Sequence, residues 1–441
     1  MKETQDKVEN YVVMALRLNA IEKYDEALKY LKKALEIDEN NVNVNTAIAA
    51  CLCNMNKYEE ALKVYDNVLN INNKNDFVTV EKGNVLFILE RYEEALTCYD
   101  KAKYINHDNK IAYFNKALCL EKMDEKEKSI RAYDELIERD KMYFDAYYGK
   151  ARVFEESGKH KDAINTYEEL AGVKEGDSDP FVYIAGIYNK IGFYEKAIES
   201  INKVIEISPE KVIGYLDKGL LLNSLGKYEE ALEWIEKAQE VDKNNAEVYY
   251  RKGNTYSNLK NYEEAIKNYD KAIEIDGKYF VTYIAKANLF MKLEKYEEAA
   301  KCYEELIKKD ESKYYASVAR APYKLFLAYK KSENKLKVEE NCRKGIKELD
   351  VYINMWQFVP DYYSLKAELL VFANKKAEAK ELYDYAVELD PSYAEGYYLR
   401  GKFRISEGNI EEGQKDMKKC VDLDGKFREI IKNNEGIENI L

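Results

Sequence analysis

The sequence predicts an all-α chain built as an array of helix–turn–helix units, and three observations carry that expectation. A short segment, Tyr24-Asp25-Glu26-Ala27-Leu28, returns with a constant step of 34 residues. The 441 residues include only 5 prolines and 19 glycines, roughly half the usual share of each and too few for the turns of a β-rich fold. Apolar residues recur three and four apart, and a composition 46% hydrophobic and 34% charged suits amphipathic helices and excludes a disordered chain.

The repeat organises the chain from end to end. Copies of the segment start at Tyr24, Tyr58, Tyr92, Lys126, His160, Tyr194, Tyr228, Tyr262 and Tyr296, and two more at Lys376 and Ile410. This gives nine regular units over 8–313, one longer unit over 314–359 with twelve extra residues, two regular units over 360–427, and a tail, 428–441, expected to form a capping helix. In the unit 246–279, Tyr249, Gly253 and Tyr256 mark a first helix. After a break at Lys260-Asn261, Tyr262, Ala265, Ile266, Tyr269, Ala272 and Ile273 mark a second. The eighth residue of each unit is Gly or Ala, from Ala15 through Gly253 to Ala321, Ala367 and Gly401, so a second helix is expected to pass close to it. The twentieth is equally small (Ala27, Ala61, Ala265, Gly413), and the fourth is Tyr or Phe in most units, so small and large residues face each other at fixed spacing. Pro180, Pro209, Pro360 and Pro391 fall at helix starts or between units, whereas Pro322 falls inside an expected first helix and predicts a kink or a late start there.

With an aromatic fourth, Gly or Ala eighth, Tyr seventeenth and Ala twentieth residue, this 34-residue unit resembles the tetratricopeptide repeat (TPR) family. The resemblance is close over 8–313 and 360–427 and weaker over 314–359. The family's Trp at the fourth place is Tyr here, and its Pro at the thirty-second appears only as Pro209 and Pro391. The resemblance implies a right-handed α-solenoid, a superhelix whose first helices line a concave groove, with each repeat stabilised by its neighbours.

Motifs for chemistry are missing. No glycine-rich phosphate loop and no His-Glu-x-x-His pattern occurs, and His107 and His160 are too isolated for a His-based metal site or a triad. Cys51 and Cys53 read as buried thiols on a first helix, and Asp177-Ser178-Asp179 reads as a segment preceding a helix start. No enzyme activity, cofactor or metal is expected, nor a catalytic domain in the seven leading and fourteen trailing residues. The net charge of −12 argues against nucleic acid as a partner, where affinity rests on neutralising phosphates. No apolar run approaches the ~18 residues of a membrane helix and no secretory signal opens the chain, so a cytoplasmic setting is expected and no membrane partner.

In the family, places 2, 5, 6, 9, 12 and 13 tend to face the groove. In the eleven regular units they hold twelve acidic against six basic residues, with apolar or aromatic residues common at the fifth place (Phe114, Tyr148, Leu216, Tyr250, Ile284, Tyr398). Together with Asn84, Asn115, Asn254, Asn258 and Asn288, and with Arg152 and Arg251, these make the candidate peptide groove. The expected partner is one or more proteins offering a basic or neutral peptide segment or helix. No fifth-place Lys occurs in the regular units, so the clamp by which one TPR subgroup holds acidic chaperone C-termini is absent. The expected function is a non-catalytic scaffold that assembles a complex. The alternative is self-association, or service as a regulatory subunit of an enzyme complex, through the aromatic stretch 351–359. There Trp356 and Phe358 either anchor a partner or are buried by an insertion that lengthens both helices.

Overall fold

The structure is a computed structural model that describes residues 2–310 and 318–433; 311–317 and the end of the tail, 434–441, lie outside the described residues. Those residues form 25 helices in two compact units, Met1–Glu210 and Lys211–Leu441. The first unit is six helix pairs: α1 (Lys2–Ala20) with α2 (Tyr24–Leu35), α3 (Val42–Asn54) with α4 (Tyr58–Ile71), α5 (Asp76–Ile88) with α6 (Tyr92–Ile105), α7 (Lys110–Lys122) with α8 (Lys126–Arg139), α9 (Phe144–Glu156) with α10 (His160–Val173), and α11 (Asp179–Lys190) with α12 (Tyr194–Ile207).

The second unit continues with α13 (Val212–Ser224) and α14 (Tyr228–Val241), α15 (Ala246–Asn258) and α16 (Tyr262–Ile275), α17 (Phe280–Lys292) and α18 (Tyr296–Lys309), α19 (Ala321–Lys331) and α20 (Lys335–Met355), α21 (Pro360–Phe372) and α22 (Lys376–Leu389), and α23 (Ala394–Ser406) and α24 (Ile410–Leu423). A short α25 (Phe427–Lys432) lays Phe427 and Ile431 over Met417, Cys420 and Val421.

The period fixes the turns as well as the helices. Every turn inside a pair places one residue in the left-handed region: Glu22, Asn56, Glu90, Asp124, Lys260, Glu294, Glu333 and Asn374, with Gly158, Gly192, Gly226 and Gly408 in the other four. Around Glu22 the Lys23 amide donates to the Leu18 carbonyl and the Glu22 amide to Asn19, which satisfies the carbonyls left over at a helix end. A side chain in this conformation is disfavoured by about 1 kcal/mol or more. Lys260→Gly is therefore expected to raise stability by about 0.5–1 kcal/mol, read as a higher urea midpoint at unchanged slope. Between pairs a different device recurs: Asn72, Asn106, Asp140, Asp242, Asp276, Asp390 and Asp424 each accept the amide two residues on, a side-chain turn that redirects the chain. Second helices that open Tyr-Glu-Glu-Ala, such as α4, α6, α14, α16 and α18, set two carboxylates at the positive end of the helix dipole.

Packing follows the small-against-large rule. A Cβ on Gly253 would lie 2.5 Å from Tyr269, one on Gly83 2.7 Å from Tyr99, and one on Gly219 2.7 Å from Ile235, so the eighth residue faces the twenty-fourth. Consecutive pairs are also tied by cations that reach back 16 residues: Lys82 to Asp66 (2.5 Å), Lys116 to Asp100 (2.6 Å) and Lys150 to Asp134 (2.7 Å) in the first unit. In the second, Lys252 meets Glu236 (3.3 Å), Lys286 meets Asp270 (2.5 Å) and Lys366 meets Asp350 (2.5 Å). Each such half-exposed pair contributes at most about 1 kcal/mol, but the spacing fixes how one pair stacks on the next.

The long unit differs from its sequence reading. Its insertion does not lengthen both helices: α20 has 21 residues against the usual 14, whereas α19 has only 11. Because α20 starts 39 residues after α18 and 41 before α22, five extra residues precede this pair's first helix and seven extend its second. Pro322 sits in the first turn of α19, where its missing amide donor costs nothing, so the helix starts late rather than kinking. Ala321 is consequently not the eighth residue. That place, nine before the second helix, belongs to Phe326, and the twenty-fourth belongs to Cys342. Both are buried in one core cluster, so here the large and small partners have exchanged sides.

Candidate peptide-binding face

Within each unit, successive first helices touch one another (α5 with α7, α7 with α9, α13 with α15, α15 with α17, α19 with α21), and no successive second helices approach to the same extent. The first helices therefore share the inner side of each row. Asn84, Asn115, Tyr148 and Arg152 belong to the first unit; Tyr250, Arg251, Asn254, Asn258 and Asn288 belong to the second.

Buried tyrosines of the second helices reach through to this side and orient its polar groups. The Tyr99 hydroxyl donates to Asn84 Oδ1 (3.1 Å), that of Tyr269 to Asn254 Oδ1 (2.8 Å), and that of Tyr303 to Asn288 Oδ1 (2.9 Å). Where the ninth residue is not Asn, carboxylates take the same hydrogen bond: Glu121 from Tyr133, Glu155 from Tyr167 and Glu368 from Tyr383. Burial holds all six phenols well above their ordinary pKa, so they remain donors at any working pH. The amide N–H groups of Asn254, which is half-buried, and Asn288, which is exposed, make no hydrogen bond among the described residues. Asn84 accepts a second bond from Asn115 Nδ2 (2.7 Å), so those two asparagines bind each other rather than standing as separate contacts.

The two arginines are also committed. Arg152 donates to both oxygens of Glu121 (3.1 and 2.9 Å), and Arg251 reaches Glu247 one turn back (3.1 and 2.8 Å). Beside Arg251, burial raises the Asp217 carboxyl to about 6 despite the guanidinium, with Glu247 adding in the same direction. Tyr250 packs between Tyr269 and Tyr279 at 6.4 and 5.6 Å, and Asn258 is exposed. One fifth-place residue was misassigned by the periodic reading: Leu216 is core, buried with Ile235, Ala238 and Val248. In the long unit, Trp356 caps α20 and packs against the cluster of Phe280 and Tyr283, so it is not an exposed anchor; Phe358, two residues beyond, is 81% exposed.

The sequence reading missed Tyr183. Its ring stacks on Tyr167 (5.1 Å, 13°) and meets Tyr148 (5.4 Å, 60°), flooring an open cavity of about 710 Å³ within the first unit. A signal existed, for Tyr183 is the one aromatic at the sixth place of any regular unit. Among the described residues no cluster of three His, Cys, Asp or Glu side chains could hold a metal, and no helix is long and apolar enough to cross a membrane.

Models described as tetratricopeptide repeat, or TPR repeat, match residues 20–80, 80–109, 114–180, 184–211, 219–260, 246–279, 284–322 and 394–427. No curated protein matches the sequence. Among solved structures, yeast Tom70 is 18% identical over 98% of both chains, with a TM-score of 0.46. YrrB, described as a TPR protein with an unusual peptide-binding site, is 26% identical over 43% of this chain and 97% of its own, with a TM-score of 0.33. A structure of Naa15/Naa10 bound to HypK-THB is 15% identical over 93% of this chain and 68% of that one, with a TM-score of 0.38.

Proposed function

Because the chain belongs to the tetratricopeptide repeat family, whose members mediate protein–protein interactions and are usually non-catalytic, we propose that it is a scaffold that holds a peptide segment or helix of a partner protein on its first-helix face. The observation that carries this reading is the pair Asn254 and Asn288. They lie one repeat apart on α15 and α17, and each accepts a tyrosine hydroxyl at its carbonyl oxygen while its amide donors stay unbonded among the described residues, which suits the carbonyls of an extended chain. The excess of acidic over basic residues at the face-lining places favours a basic or neutral segment over an acidic one.

Crosslinked capture from native lysate, comparing wild type with an R251A/N254A/N288A variant, tests the reading. Loss of a defined partner is expected, and a peptide of that partner taken from the crosslinked stretch should bind wild type at least tenfold tighter than the variant. Alanine leaves the Tyr269 and Tyr303 hydroxyls without acceptors, so circular dichroism must show the variant folded at the assay temperature. The same proteins captured by both forms, or tighter binding of an acidic peptide, would overturn the proposal.

A further inference from the structure

We propose that the pocket floored by Tyr148, Tyr167 and Tyr183 on the first unit is a subsite that receives an arginine side chain of a partner segment; this rests on the scaffold reading and names the residue class it selects. The three rings form one continuous aromatic surface, with Tyr148 and Tyr167 6.1 Å apart and Tyr183 in contact with both. Tyr183 is 49% exposed and offers its ring to a ligand, while the buried Tyr167 and the half-buried Tyr148 back it from behind. Aromatic faces attract cations, and a planar guanidinium both stacks on a ring and forks onto carboxylates.

The carboxylates are present at the rim: Glu155, Glu156 and Asp179 line the same cavity. Glu155 is positioned by the Tyr167 hydroxyl at 3.0 Å, and Glu156 has no hydrogen-bond or ion-pair partner among the described residues. Three cations line the cavity too, but two are neutralised from within. Arg152 is held by both oxygens of Glu121, and Lys174 lies 2.6 Å from Asp177. Lys190 is the third, and it stands against Glu155 and Glu156 together, so these three side chains leave the rim negative without counting Asp179. Burial, with Asp177 and Asp179 adding to it, pushes the Tyr148 phenol up to about 12, so this wall stays a neutral ring at working pH. A methylated ammonium would gain from the rings but not from the carboxylate fork, which selects arginine over methyl-lysine.

Titration of the full chain with acetyl-Gly-Arg-Gly-amide, followed by ligand-observed NMR, tests this. The arginine peptide is expected to bind at least tenfold more tightly than its citrulline, aspartate and trimethyl-lysine counterparts. Tyr183→Ala and Glu156→Gln should each weaken it at least fivefold, and Tyr104→Ala, an 81% exposed tyrosine outside the pocket, should not. Glu156 is exposed, so its substitution leaves the fold intact and reports on the pocket even if Tyr183→Ala disturbs packing. Equal binding of citrulline, tighter binding of the aspartate or trimethyl-lysine peptide, or full binding by Glu156→Gln would overturn it. The capture variant lies in the other unit, so the two readings fail separately. Lost arginine selectivity with intact capture removes the pocket alone, and failed capture with intact selectivity removes the second-unit face alone.

Discussion

Asp416→Ala is expected to destabilise the C-terminal pairs by about 3–5 kcal/mol. Asp416 is almost wholly buried on α24 and accepts from Arg400 at 2.9 and 2.7 Å and from Arg404 at 3.0 Å. Asp384 on α22 bridges the same arginines at 3.0 Å each, but it is half exposed. Removing Asp416 leaves two guanidinium groups in a site that is largely closed to water, with one carboxylate between them. Removing Asp384 instead strands nothing that water cannot reach, and about 1 kcal/mol or less is expected. Hydrogen exchange separates the two: amides of α21 to α24 should lose protection in Asp416→Ala and keep it in Asp384→Ala, with α15 to α18 unaffected in both.

Gly253→Leu should rank second, at about 3 kcal/mol. Even a bare Cβ at this position would approach the Tyr269 ring to 2.5 and 2.6 Å. A leucine side chain must displace the ring, and moving Tyr269 also withdraws its hydroxyl from Asn254. Gly253→Ala is expected to be milder, because Ala49, Ala117 and Ala287 occupy the same place in other units opposite Tyr65, Tyr133 and Tyr303. Thermal unfolding orders the three proteins, and a partner peptide that binds the alanine form normally would show that the face survives the smaller shift.

The eighth residue was legible in the sequence because close helix approach tolerates nothing larger than a methyl, and that restriction survives every change elsewhere in the unit. The long unit was not legible in the same way. Counting fixes that twelve residues are added, but only the helix ends reveal that five precede α19 and seven extend α20, which moves the eighth place from Ala321 to Phe326. The candidate face was read from single places on first helices, and its chemistry depends on second helices. Asn84, Asn254 and Asn288 each lie 15 residues before the tyrosine that locks them, a spacing visible in the sequence yet meaningless until the two helices are seen to pack. Leu216 is misassigned for the converse reason: the fifth place, which holds the half-buried Tyr250 in the following unit, turns into the core beside Ile235, where that unit has Tyr269.

The exchange of Phe326 and Cys342 bears on how an array of this kind can change length. Within the regular stretches every pair presents a small socket, Gly or Ala, and a larger plug, Tyr, Ile, Leu or Met, so unequal crossing-over that gains or drops a whole 34-residue module leaves each new junction matched small against large. A recombinant that joined the first half of the α19–α20 pair to the second half of any other would set Phe326 against a tyrosine, leucine, isoleucine or methionine, and the reciprocal product would set a small residue against Cys342 and leave a void. Exchange through this pair is thus penalised in both directions, which makes it a fixed landmark on either side of which module number can drift.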